Sequence, residues 1–142
     1  MNIEVLLNCS FCRNHISKQP QKNKVVIVIT DDSEENTKNI IGLEDISTYH
    51  DNDYKSFTSN DITQLILVGP SAEKHKQIAI NSGINKEHIT TYQNVAIAAD
   101  NINPSNKCSV HILHEIFNKS DANNIKNKIM ERRNINGYWN FI

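Results

Sequence analysis

At 142 residues, with 15 basic and 16 acidic side chains and a net charge of -1, the chain is sized for one domain and lacks the bulk field of a polyanion binder. Hydrophobic residues make up 38%, mean hydropathy is -0.51, and the longest apolar runs, such as Val25 to Ile29, are far too short for a spanning helix. No basic-then-apolar secretory signal follows Met1, so the expected location is the cytoplasm, with the three cysteines reduced.

Residues 3–7 form the first predicted strand. Cys9-Ser10-Phe11-Cys12 follows, with His15 three residues on. A redox Cys-x-x-Cys pair sits at a helix N-terminus, where the dipole lowers the thiol pKa. Here the polar stretch running to Pro20 carries little helical pattern, which argues against that use. The second strand, residues 25–29, is β-branched throughout with no alternation, as expected of a strand covered on both faces in a parallel sheet.

Thr30-Asp31-Asp32-Ser33 closes that strand. In open α/β sheets ligands gather outside the carboxyl ends of strands, where Asp31 and Asp32 could hold Mg2+ against a phosphate. The simpler reading is helix capping, with Asp32 or Ser33 placed ahead of Glu34 and Glu35. Residues 35–41 then read as a short helix and 46–49 as a minor strand, within a segment from Asp31 to Asp53 that holds eight acids and one lysine.

The third strand, residues 65–68, turns through Gly69-Pro70-Ser71 into a helix over 72–82 that Gly83 closes. Ser71 and the backbone N–H groups of Ser71 and Ala72 could hold an anion at that helix start. Gly-x-Gly-x-x-Gly and Gly-x4-Gly-Lys-Ser/Thr are both missing, which disfavours a dinucleotide site and a P-loop, and an ordinary strand-to-helix turn explains the residues as well. Residues 89–92 read as the fourth strand. Asn94 can cap a helix through Ala99 that stops before Asn103-Pro104.

Residues 109–117 and 122–133 both show a 3.6-residue pattern and read as two C-terminal helices, capped at Ser105 and Asp121 and ended at Asn136-Gly137. Cys108, His111 and His114 would share one helical sector. Cys9, Cys12, Cys108 and His111 make up the simplest tetrahedral zinc set, since thiolate and imidazole at such spacing suit that ion. Without zinc they are reduced, partly buried thiols and a solvent-facing histidine. Lys126, Lys128, Arg132 and Arg133 lie near Tyr138, Trp139 and Phe141, but four bases in a near-neutral chain are a small footprint for nucleic acid. Packing, or a protein contact, explains the aromatics better.

The expected fold is therefore a single α/β domain, Rossmann-like and three-layered, with a mainly parallel sheet of four or five strands and two C-terminal helices. No complete catalytic set can be assembled. The expected function is a small cytoplasmic binding or regulatory module without catalysis of its own, with zinc as a candidate stabiliser and a protein or small phosphorylated ligand as partner. The competing expectation is an enzyme or sensor for a phosphorylated or nucleotide-like ligand, held by Asp31, Asp32, Ser71 and Ala72 with Mg2+.

Overall fold

The computed structural model describes residues 2–30 and 54–140, with side chains described as far as Arg132. Asp31, Asp32, the short helix read at 35–41, the minor strand read at 46–49, Phe141 and the side chains of Tyr138 and Trp139 lie outside that description.

Five strands, β1 (Ile3–Leu7), β2 (Lys24–Ile29), β3 (Ile62–Val68), β4 (Ile89–Tyr92) and β5 (Ser109–His114), form one all-parallel sheet in the order β1-β5-β2-β3-β4. Four α-helices are described: α1 (Ser10–Lys18), α2 (Ala72–Asn81), α3 (Val95–Asn101) and α4 (Lys119–Asn140). The chain steps from β1 through β2 and β3 to β4 in one direction across the sheet, then returns to insert β5 between β1 and β2. Right-handed crossovers require connections running in opposite directions to lie on opposite faces. Accordingly Ile16 of α1, Tyr54 and Phe57 of a 3-10 turn, and Ala72 and Ala79 of α2 pack on one face. Ala98 and Ala99 of α3 with Ala122, Ile125 and Ile129 of α4 pack on the other.

The centre of the sheet explains its sequence. β2 is bonded on both edges, to β3 and β5, and all six of its residues are buried. Val26 and Val28 enter the α1/α2 layer, while Val25, Ile27 and Ile29 enter the α3/α4 layer. Each pleat face therefore needs an apolar residue, which yields an unbroken run. Lys24, at the start of β2 and fully buried, donates its ammonium to the Ser17 carbonyl of α1 at 3.3 Å.

The C-terminal third differs from its sequence reading. Residues 109–117 are not a helix: Ser109–His114 is a buried central strand whose partners are Ile3 to Leu7 on one side and Lys24 to Val28 on the other. Its period is two, so Ser109, His111 and Leu113 share one face while Val110, Ile112 and His114 share the other. The two C-terminal helices of the molecule are α3 and α4, and they flank this strand in sequence. The last helix also runs further than expected, through Gly137 to Asn140.

Local capping behaves as the residues dictate. Asn94 accepts the Ile97 N–H at 2.8 Å and starts α3, and Gly83, at φ 109°, leaves α2 with a backbone that side-chain-bearing residues rarely adopt. Arg132 of α4 donates to the Ala99 and Ile102 carbonyls and so closes the far end of α3. Because α3 has only seven residues and depends on both ends, Asn94→Ala is expected to lower stability by about 1 kcal/mol. Urea unfolding checks this through the transition midpoint at unchanged slope.

Candidate functional site

The carboxyl end of the sheet carries a buried polar cluster where β1 and β5 finish side by side. The connections of these neighbours leave to opposite faces, α1 to one and α4 to the other, which is the condition for a crevice in an open parallel sheet. Asn8 extends β1 by donating its N–H to the His114 carbonyl at 2.7 Å. Its side chain accepts from Arg13 Nη1 at 2.6 Å and donates to Glu115 Oε1 at 3.3 Å. Asn118, just before α4, accepts the Glu115 N–H at 2.7 Å. His114 places Nδ1 2.7 Å from the Glu115 carbonyl, so Nδ1 carries a proton there. Asn8, Arg13, His114 and Asn118 are all buried, as is Thr30 at the end of neighbouring β2.

Helix α1 brings Arg13 there and also brings the two thiols. Cys9 occupies the N-cap in extended conformation and accepts the Arg13 N–H on its carbonyl at 3.0 Å, so Cys12 stands at the third helical position. The neutral Cys9 thiol makes no cap hydrogen bond, sulfur being a weak acceptor. Its thiolate is favoured chiefly by the Cys12 backbone N–H, then by the Cys12 thiol, the Phe11 N–H and the Arg13 charge. These hold Cys9 below its ordinary pKa against the opposing effect of burial. Burial, followed by the Cys9 sulfur, pushes the Cys12 thiol up. A helix is thus present where the polar sequence carries little helical pattern. Its inward stripe is Cys9, Cys12, Arg13 and Ile16, a 3.6-residue pattern hidden because only Ile16 is an obvious core residue.

A second polar set lies deeper, between α1 and the sheet. His111, fully buried, places Nδ1 2.5 Å from Glu4 Oε1 and Nε2 2.8 Å from Ser109 Oγ. Glu4 also reaches His15 Nε2 of α1 at 3.5 Å. The order hydroxyl, imidazole, carboxylate resembles a nucleophile with its base. Ser109, however, has no exposed surface, and the set acts as a satisfied polar bridge between β1, β5 and α1. Burial holds His111 below its ordinary pKa and outweighs the Glu4 hydrogen bond that favours the charged form.

The residues singled out for zinc are not brought together. Cys9 and Cys12 lie past the carboxyl end of β1, and Cys12 packs on the α1/α2 side. Cys108 precedes β5 at the amino end and packs on the α3/α4 side, while His111 is engaged by Glu4 and Ser109. The length of β1 alone separates the two ends by about 13 Å at roughly 3.3 Å per residue, whereas donors around one zinc lie within about 2.3 Å of the ion. Among the described residues no group of three or more His, Cys, Asp or Glu side chains is placed to hold a metal.

At the Ser71 turn, one of the two backbone donors read as an anion site is spent within the turn. The Ala72 N–H donates to the Gly69 carbonyl at 3.0 Å, and Ala72 is buried. Glu73, in the first turn of α2, accepts from Thr91 Oγ1 at 2.6 Å and adds a negative charge to the end of the helix where an anion would have to bind. Of the C-terminal bases, Arg132 is committed to α3.

The margin beside the β1–β5 end is less enclosed. Leu7, Phe11, Ile116 and Phe117 are 43%, 79%, 71% and 45% exposed. A groove of about 470 Å³ runs along the outer side of α1, lined by Phe11, Asn14, His15, Lys18, Gln19 and Pro20. Strand β1 pairs only with β5, so its other edge carries no strand among the described residues. No helix among the described residues is long and apolar enough to cross a membrane. Neither the protein-family models nor the curated proteins contain a match to the chain.

Proposed function

We propose that the protein is a small binding or regulatory module, without catalysis of its own, that docks a protein partner on the margin formed by the β1 edge and α1. The supporting observation is that Leu7, Phe11, Ile116 and Phe117, which end or closely follow β1 and β5 at their carboxyl ends, are all exposed, and that Phe11 also lines the α1 groove. Exposed large side chains scattered singly need no explanation, but four at the carboxyl ends of two neighbouring strands, one of them with an open edge, suit a partner segment. The edge offers main-chain hydrogen bonds, and Phe11 offers an aromatic anchor.

The second reading is a sensor or enzyme for a phosphorylated or nucleotide-like ligand. What favours it is the buried Arg13 with Asn8, Thr30 and Asn118 at the carboxyl-end crevice. One set of measurements separates the two. In affinity capture from the source organism, the Phe11→Asp/Ile116→Asp double variant should keep wild-type circular dichroism and lose the partner by tens-fold or more, as for an aromatic anchor worth about 2 kcal/mol or more. Calorimetric titration with a nucleotide panel, with and without Mg2+, should give no heat. Undiminished capture by the double variant contradicts the docking reading, and saturable nucleotide binding that Arg13→Gln abolishes establishes the second.

A further inference from the structure

We propose that Cys9 and Cys12 form a reversible dithiol site that exchanges with disulfides, Cys9 attacking and Cys12 resolving. The inference is independent of the docking reading and rests on placement. The N-cap and the third helical position face each other across the first turn of a helix, the geometry in which the side chain of each can reach the backbone N–H of the other. Here both positions are cysteine, both are partly exposed, and α1 is nine residues long, so the turn is held by a complete helix. Cys9 lies at the terminus itself, in extended N-cap conformation, and the buried Arg13 follows Cys12 in the same first turn. Cys12 is packed against the core beside Cys9, as a resolving thiol must be. Phe11, between the two cysteines, lines the α1 groove and supplies an apolar wall for the group that carries the disulfide. Cys108 has none of this: it follows a turn at the opposite end of the sheet, with the Ser105 hydroxyl 3.4 Å from its sulfur.

The reaction balances without a cofactor. The Cys9 thiolate attacks one sulfur of a disulfide, the substrate S–S bond breaks, and the first substrate thiolate leaves with the electron pair and takes up a proton. Cys12 then loses its proton and attacks the Cys9 sulfur of the mixed disulfide, and the second substrate thiolate leaves and is protonated. The dithiol is oxidised to an intramolecular disulfide as one substrate disulfide is reduced to two thiols. The oxidant is the disulfide itself, of a small thiol or of a protein.

The test uses the full chain. Reduced protein is incubated with glutathione disulfide in one arm and with insulin, as a protein disulfide, in the other, and is followed by intact mass and peptide mapping. The expected product has lost two hydrogens and links Cys9 to Cys12, with Cys108 still reduced. In Cys12→Ser the mixed disulfide should accumulate on Cys9, and Cys9→Ser should abolish exchange while keeping the helix, since serine is a favourable N-cap. Cys108→Ser should react like wild type. Iodoacetamide at pH 7 should label Cys9 on the order of tenfold faster than Cys108. Reaction in either arm supports the site, and the faster arm identifies the source of the disulfide. Exchange in neither arm, adducts spread evenly over the three cysteines, or a mixed disulfide trapped on Cys12 in preference to Cys9 would overturn the proposal.

Discussion

Replacing Ile27 by Ala is expected to lower the stability of the fold by about 2 to 5 kcal/mol, the range for truncating a fully buried isoleucine in a close-packed core. Ile27 is fully buried at the middle of β2, in the same cluster as Ile112 of β5 and Ile125 and Ile129 of α4. Strands bonded on both sides cannot close over the lost volume without breaking register, so the cost belongs in the upper half of that range. Domains of this kind are stable by only about 5 to 15 kcal/mol, so the variant loses a large share of its margin. Ile97→Ala, on the exposed side of α3, should stay within about 0.5 kcal/mol of wild type. Urea titration of the two variants is the check. Equal midpoints for both would mean that the order β5-β2-β3 is not the centre of the molecule.

The second large effect concerns the polar bridge under α1. His111→Leu keeps volume in the core but strands two groups, the Ser109 hydroxyl and the Glu4 carboxylate, which then holds only the 3.5 Å contact to His15. Each buried unsatisfied group costs about 1 to 3 kcal/mol, and the partial exposure of Glu4 softens its share, so a loss of about 2 to 4 kcal/mol is expected at pH 7.5. The pH dependence has a definite sign. The groups facing His111 are Glu4, Ser109, Lys24 and His15, and the net effect holds its pKa below the ordinary value of 6.5. The unfolded chain therefore binds a proton at a pH where the folded one does not. The stability contributed is present above about pH 6.5 and is lost as pH falls through the folded value. Wild type should lose stability on acidification below pH 6.5, and His111→Leu should lose that part of the slope. A variant as stable as wild type, with an unchanged slope, would show that the Ser109–His111–Glu4 bridge carries no weight.

What could be read from the residues, and what could not, follows from how each element is stabilised. β1 and β4 run over the residues expected, α2 starts where the Gly-Pro-Ser turn places it, and Asn94 caps α3 with its side chain. In each case the local chemistry and the tertiary role agree. β3 begins three residues before its apolar run, at Ile62, because Thr63 and Gln64 find partners in the Lys24 carbonyl and Thr90. β5 differs from its sequence reading for a related reason. Ser109, His111 and His114 look like the polar side of a helix, yet each is buried in a strand and bonded there, and partners such as Glu4 are remote in sequence. Helix α1 gives little apolar signal because its inward stripe is two thiols, an arginine and one isoleucine. Both elements bear on the candidate site: together β5 and α1 bring Asn8, Arg13, Glu115 and Asn118 to one crevice. The feature that could have pointed there is the i, i+3, i+4, i+7 spacing of Cys9, Cys12, Arg13 and Ile16, provided cysteine and a long amphipathic side chain count as inward residues.

The docking margin is tested most directly by site-specific photo-crosslinking in cells of the source organism, with a photoreactive side chain at position 11 and, separately, at position 97. Both positions are exposed, one on α1 beside the β1 edge and the other on α3 across the sheet. A discrete adduct to one protein is expected from position 11 and none from position 97. Adducts of equal yield from both positions, or from position 97 alone, would contradict the docking margin.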